Sequence, residues 1–410
     1  MGISYYPQLL GSSTVHKNYV GEYTSQGRLQ VSNPETVFFN TFQYGIETDV
    51  WDTGTTSGGT ATFDTDVSSV KMAVTSTAGS QVIRQTLNCQ RYIPSRNAEL
   101  TFAVRLEAPV VGIRRRFGLF DGADGFYFED AGDTYACVLI NSDGISPTIN
   151  RVVRENWNGD KLDGTGDSGI TADPTALQII VGEYEWYGAG QVKFHYVING
   201  IKILIHTFNT ANTSPVPWCK TPFLPIRLEI TNVTGVAGSH YMWQGSNSLT
   251  LEGTTAKLGI GQNLLSSVTG TTLTTANTFY PVLSIRLKPT ALKGIVIPSS
   301  FQASTLDNTS VFYKLIRNPT LTGGTWVDMP DTNSFVQYNT SATALSGGIG
   351  LFSGFIPANN AGNLNVLDPD ILYQLGRSSL GTVSDTFTLA MAATNANKAG
   401  VASLTWLEQR

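Results

Sequence analysis

The sequence predicts an all-β protein: two β-sandwich domains of jelly-roll type in series, preceded by an extended N-terminal arm. Three observations predict it. Apolar residues recur with a period of two along much of the 410-residue chain, the spacing of strands with one buried face. Gly, at 41 residues, and Asn punctuate those runs as turn formers. Helix signals are scarce, and nothing approaches the roughly 18 consecutive apolar residues of a membrane-spanning helix.

The elements follow in chain order. Residues 1–33 lack apolar periodicity but carry Tyr5, Tyr6, Tyr19 and Tyr23, so they read as an arm that packs on a neighbouring subunit. Residues 34–245 read as one sandwich. Val70, Met72 and Val74 alternate with an outward Lys71, and Leu100, Phe102, Val104 and Leu106 alternate with Glu99, Thr101, Ala103, Arg105 and Glu107. Asn199-Gly200 is the two-residue turn that suits a right-twisted hairpin. It pairs Ile198 with Ile201, Tyr196 with Ile203 and Phe194 with Ile205 on an apolar face. Lys193, His195, Lys202 and His206 fall on the wetter face, with His195 opposite Leu204 and Lys193 opposite His206. Residues 246–277 are rich in Thr, Ser and Gly and read as a linker. A second β domain then fills 278–410, with Phe387, Leu389 and Met391 in alternation. Asp368 to Gly376 carries an acidic cap, an early Pro and a terminal Gly, the signature of a two-turn helix.

Composition narrows the function classes. Charged residues are 14%, against about 25% in ordinary globular domains, and the net charge is −5. That balance argues against a nucleic-acid partner, which calls for a basic face, and no membrane partner is expected. Hydrophobic residues at 41% exclude wholesale disorder. The first residues show no basic segment followed by an apolar one, so no secretory leader is expected, and Tyr6 replaces the hydroxyl residue that myristoylation requires. Cys89, Cys137 and Cys219 fit no zinc spacing and are odd in number. They read as buried free thiols of a chain folded in a reducing cytoplasm. Asn232 and Asn308 then carry no glycan.

Few constellations suggest chemistry. His16, His195, His206 and His240 form no H-E-x-x-H motif, and His195 and His206 read as solvated or interface residues. No nucleophile elbow or phosphate loop occurs, and Gly259-Ile-Gly261 is only a fragment of a dinucleotide fingerprint. Glu183 and Glu185 lie two apart on a strand, with Cα atoms about 6.5–7 Å apart. Glycosidase carboxyls stand roughly 5–10 Å apart, so the spacing permits hydrolysis. Acidic pairs on a wet strand face are commonplace, however, and no catalytic role is assigned. Asp121, Asp124 and Gly125 form one acidic, Gly-containing loop, and Asn158 to Asp167 another. Both offer oxygens to calcium but lack the EF-hand spacing, and they read as turns. In Arg114-Arg115-Arg116, alternation puts Arg115 with Ile113, Phe117 and Leu119, where it needs an acidic partner. Arg114 and Arg116 point the other way. No catalytic residue, cofactor or metal ligand is assigned.

Two resemblances add to this reading. NTFQYGIETDVWDTGTTSGGTATFDTD, QVIRQTLNCQRYIPSRNAELTFAVRL and the hairpin EYEWYGAGQVKFHYVINGIKILIHTF resemble concanavalin A-like sandwiches. The E-x-D-x-x-E strand of glucanases in that class is missing. Its region, Gly118–Asp130, keeps only Glu129 and Asp130, so the resemblance transfers no catalytic residue. FGLFDGADGFYFE, WNGDKLDGTGDSGIT, PVLSIRLK and the ending SLTWLEQR resemble virion proteins of tailed bacteriophages over roughly residues 35–410. That resemblance implies a structural component of a phage particle, in the tail, fibre or baseplate or on the head surface. It implies a homo-oligomer that folds in the host cytoplasm, resides in the virion and contacts other virion proteins. The alternatives are a host-attachment adhesin that meets a surface glycan through Trp157, Trp186 or Tyr187, and a polysaccharide hydrolase using Glu183 and Glu185.

Overall fold

The computed structural model describes residues 29, 31–142, 147–253, 259–358, 363–366 and 373–409. The expected arm over 1–33 lies almost wholly outside the described residues. The regular structure of the described residues is strand, apart from one-turn 3-10 helices at Arg154–Asn156 and Ser379–Gly381.

The first sandwich stacks an eight-stranded sheet on a seven-stranded one. The eight-stranded sheet runs Ile201–Phe208, Val192–Ile198, Leu177–Tyr184, Ala98–Leu106, His240–Glu252, Ser69–Val74, Thr60–Asp64, and Pro34–Asn40 joins it on His240–Glu252. The seven-stranded sheet runs Pro147–Val153, Tyr135–Ser142, Gly125–Asp130, Ile113–Phe120, Ile226–Asn232, Ser80–Thr86, Trp51–Thr56. Ala98–Leu106 alternates strictly between buried and half-buried residues, as the sequence predicts. Leu100, Phe102 and Val104 meet Phe117, Leu119 and Phe126 of the facing sheet in one core. Each such side chain contributes about 1.5–3 kcal/mol by leaving water. Gly182 is required by close approach: a Cβ there would stand 2.5 Å from the Phe126 ring.

Two buried guanidiniums tie these sheets together. Arg115 is 0% exposed. It reaches Asp130 on its own sheet at 2.7 Å, and Glu107, just past Ala98–Leu106, at 2.7 Å. Its Nε donates to the Tyr241 carbonyl of the facing sheet at 3.1 Å. The sequence placed Arg115 inward, and the structure supplies its acids. Arg84 lies against the Phe42 and Trp51 rings and donates to Gln244 across the sandwich at 2.6 Å. Burial pushes its pKa down to about 9.

The Asn199-Gly200 turn forms with both residues at positive φ, 53° and 74°. Ile198 pairs with Ile201, Tyr196 with Ile203 and His195 with Leu204, as expected. A bulge between Phe194 and His195 then shifts the register, so Phe194 faces His206 and Lys193 faces Thr207. The expected wet face is also corrected: His195 is 6% and His206 5% exposed.

The expected linker over 246–277 is overturned. His240–Glu252 continues as a strand of the first sandwich, burying Leu249 and Leu251. Ile260–Leu265 and Thr271–Leu273 pair with the C-terminal strand Lys398–Gln409. Low charge there marks strands rather than a linker, and Ile260 and Leu265 stand exposed on one of them. The second sandwich has a five-stranded sheet built on Ile295–Thr305 and Lys398–Gln409. Its six-stranded sheet runs Val327–Asp328, Val336–Asn339, Tyr280–Leu287, Thr386–Ala393, Val311–Arg317, Ile349–Ile356. The helix expected over 368–376 falls outside the described residues up to 372, and Tyr373–Gly376 is not helical. Leu375 is buried in the second core instead.

Polar contacts join the two sandwiches. Arg377 donates its N–H to the Leu87 carbonyl at 2.8 Å, Leu380 donates its N–H to Asp52 at 2.6 Å, and Arg317 pairs with Asp49 at 3.2 Å.

Removing Arg115 strands the buried Asp130 and takes one partner from the half-buried Glu107, so Arg115→Ala should cost about 3–5 kcal/mol, read from urea unfolding. A loss under about 1 kcal/mol would show that the guanidinium does not staple the sheets.

Candidate functional site

The carboxylates most suited to chemistry are held by basic side chains. Glu183 is 2% exposed and lies between Lys193 at 3.0 Å and Lys202 at 3.2 Å; Lys202 also reaches Glu99 at 2.7 Å. Burial pushes the Glu183 carboxyl up, but Lys202 and Lys193 outweigh it and hold the pKa below the usual carboxylate range. Glu185 is fully buried just beyond the strand. The expected wet face for this pair is therefore corrected: both side chains sit inside the protein.

A second carboxylate pair escaped the sequence reading. Cross-strand register sets Arg116 opposite Glu129 on one side and Glu229 on the other, on the face turned away from Arg115. Arg116 contacts Glu229, which Arg227 also reaches at 2.8 Å. Arg151 reaches Glu129 at 2.6 Å. Burial raises the Glu229 carboxyl, but Arg116 and Arg227 overcome it and leave the pKa lowered. Arg116 and Arg227 also lie over the rings of Tyr127 and Phe120. The result is a self-neutralised ladder. Its sequence signal, Glu129 and Glu229 at outward strand positions, is visible, but which strands adjoin is not.

The acidic loops are equally organised. Asp121 accepts the N–H groups of Ala123 and Asp124. Lys293, from the second sandwich, places its ammonium 2.7 Å from Asp121 and 3.3 Å from Asp124. The cation of this loop is thus a side chain. In the other loop Asp160 accepts N–H bonds from Leu162 at 2.8 Å and Ser168 at 2.7 Å. Among the described residues no group of three or more His, Cys, Asp or Glu is placed to hold a metal. The three cysteines are free and buried.

Of the aromatics offered for glycan contact, Trp157 is 6% exposed and Trp186 half-buried, while Tyr187 is 44% exposed. Trp157 nevertheless lines a small cleft, with room for about one water (about 10 Å³), together with Tyr135, Arg154, Lys161, Pro174 and Tyr196. Trp157 is fixed by its indole N–H on the Val152 carbonyl at 3.1 Å. Arg154 is fixed by donation to the Lys161 and Leu162 carbonyls at 2.6 and 2.5 Å.

The class these features define is an all-β, double-sandwich protein. No family model matches the sequence, and no curated protein matches it. Among solved structures it is similar to a glycoside hydrolase family protein from Mycobacterium thermorestibile: 13% identity over 52% of this chain and 99% of that one, TM-score 0.35. It is similar to the CBM2 module of an evolved Dit protein of Lactobacillus casei BL23 phage J-1: 12% identity, 55% and 99% coverage, TM-score 0.36. A Bacillus licheniformis β-glucanase shows 13% identity, 55% and 100% coverage, TM-score 0.32. No residue role is carried across from likenesses this distant.

The buried histidines make stability pH-dependent. Burial, reinforced by Lys202, pushes His195 down to about 3, and burial pushes His206 down to about 4. Both lie below the unfolded value of about 6.5, so their contribution is complete above pH about 6.5 and is lost as pH falls through the folded values. Each should cost at most about 1.4 kcal/mol per pH unit inside that window. Urea midpoints at several pH values should fall steeply from pH 6 to 4, and less steeply in His195→Gln/His206→Gln. Equal slopes would contradict the assignment.

Because Lys293 occupies the acidic loop, millimolar calcium or a chelator should leave the melting temperature unchanged. Calcium stabilisation of the natural protein that disappears in Asp121→Asn would refute this.

Proposed function

We propose that the chain is a non-catalytic structural component of a tailed-phage particle that works through surface contacts. The observation that carries the non-catalytic part is the neutralisation of its candidate acids. A hydrolase needs one carboxyl kept protonated beside another kept ionised. Here both members of the Glu129/Glu229 pair are bound by arginines, and Glu183 of the other pair lies between two lysines. The particle assignment draws on the resemblance of FGLFDGADGFYFE and the motifs after it to virion proteins.

Surface contacts are supported by the strand Ile349–Ile356 at the edge of the six-stranded sheet. It carries no charge, and Phe352 and Phe355 are 38% and 61% exposed. Natural proteins blunt such edges with charge or Pro unless another chain covers them. A second reading, recognition of a host glycan, draws on Tyr187, whose ring is 44% exposed.

Antibody labelling of purified particles should decorate a defined head or tail position. The purified protein should release no reducing sugar from envelope polysaccharide or peptidoglycan. Hydrolysis abolished by Glu183→Gln/Glu185→Gln or Glu129→Gln/Glu229→Gln would replace this reading with a hydrolase.

A further inference from the structure

We propose that the strand Ile349–Ile356 pairs antiparallel with its own copy across a two-fold axis, giving a dimer whose sheet runs through the second sandwiches of both copies. This rests on the surface-contact reading and names a second copy of the chain as the partner.

The two edges of the six-stranded sheet differ. One edge, Val327–Asp328, is two residues long, and Asp328 lies 3.6 Å from Lys288. A short, charged strand is a poor template for another chain. The other edge, Ile349–Ile356, has eight residues. It pairs with Val311–Arg317 on one side, and among the described residues no strand pairs with its other side. The facing sheet ends on the same side of the sandwich. Phe352 rests on Phe301 of that sheet at a centroid distance of 5.3 Å, and the end strand Asn363–Val366 pairs with the strand that carries Phe301.

Charge points to the occupant. From Thr332 to Leu367 the sequence holds no Asp, Glu, Lys, Arg or His. A two-fold contact sets a patch against itself, so any charge in it meets its like and is repelled. Contact with a different protein is steered by complementary charge, and this edge has none to offer. Side chains fit the same occupant. Phe352, Gly354 and Ile356 stand opposite the buried Leu315, Tyr313 and Val311, whereas Ser353 and Phe355 stand opposite the outward Lys314 and Phe312. Opposed residues of an antiparallel pair share a face, so the axis must bring outward residues to outward ones. An axis at Gly354 does so. It sets Phe355 beside Ser353 of the copy and Phe352 beside Ile356, so each ring meets a smaller residue, and the rings flank the axial glycines. Phe312, Phe352 and Phe355 are 42%, 38% and 61% exposed, and pairing takes that apolar surface out of water. Such a contact uses each edge once and closes at two copies.

The test is sedimentation velocity of the full chain over a range of about 1–100 μM. The natural protein should dimerise with a dissociation constant on the order of 10 μM, as a small interface gives. Ser353→Lys and Ser353→Asp should each weaken the dimer at least about tenfold, because the two copies of residue 353 lie diagonally across the axis, within reach of each other. An equimolar mixture of the two variants should restore it. Phe355→Ser, at an exposed position, should weaken it as well, with the fold of every variant intact by circular dichroism. Leu265→Arg, on the edge strand Ile260–Leu265 of the other sheet, should change nothing. A monomer throughout the range, a dimer unmoved by Ser353→Lys and Phe355→Ser, no restoration in the mixture, or a dimer lost in Leu265→Arg would overturn the proposal. A monomer in solution would leave the particle reading standing, because antibody labelling tests that separately. A dimer that depends on Ser353 in a protein absent from particles would remove that reading and keep this one.

Discussion

The buried guanidinium of Arg115 is the constraint on which the first sandwich turns. Taking a charge out of water costs several kcal/mol, and the fold meets that cost with two carboxylates and a carbonyl from both sheets. The pair geometry fixes how Ile113–Phe120 lies over His240–Glu252. Alternation along the same strand then delivers Arg114 and Arg116 to the opposite face, where Arg116 organises Glu129 and Glu229. One basic triplet thus sets both the inside and the outside of its sheet.

The same device recurs. Glu183 lies between two lysines, and Lys293 closes the acidic loop of the other sandwich. In a chain with 14% charged residues, placing charges in such clusters leaves long stretches of surface neutral. Neutral strand edges and small polar loops suit contact with other chains, and the ionised state of the clustered acids disfavours acid catalysis. Structure and proposed role meet at this distribution of charge.

How much of this was legible in the sequence depends on range. Period two in Ala98–Leu106 and the Asn199-Gly200 turn are local, and both formed as expected. The bulge at Phe194/His195 is a one-residue irregularity that a turn signal does not report, and it moved His206 out of its expected pairing. The linker expectation failed because Thr, Ser and Gly dominate residues 246–277, although Leu249 and Leu251 keep strand alternation. Arg115 could be placed inward, but its acids come from other strands. The cleft was the least legible feature. Tyr135, Arg154 and Tyr196 belong to separate segments, so although Trp157 and Tyr196 are each legible singly, their meeting is not.

The central claim is that the clustered carboxylates are ionised partners of basic side chains rather than poised acids. Carbon-detected NMR titration of Glu183 and Glu229 measures this directly. The account predicts that both titrate below the ordinary glutamate value of about 4.3. A carboxyl at either position that titrates near pH 6 would contradict it, because such a group is protonated when a general acid must be.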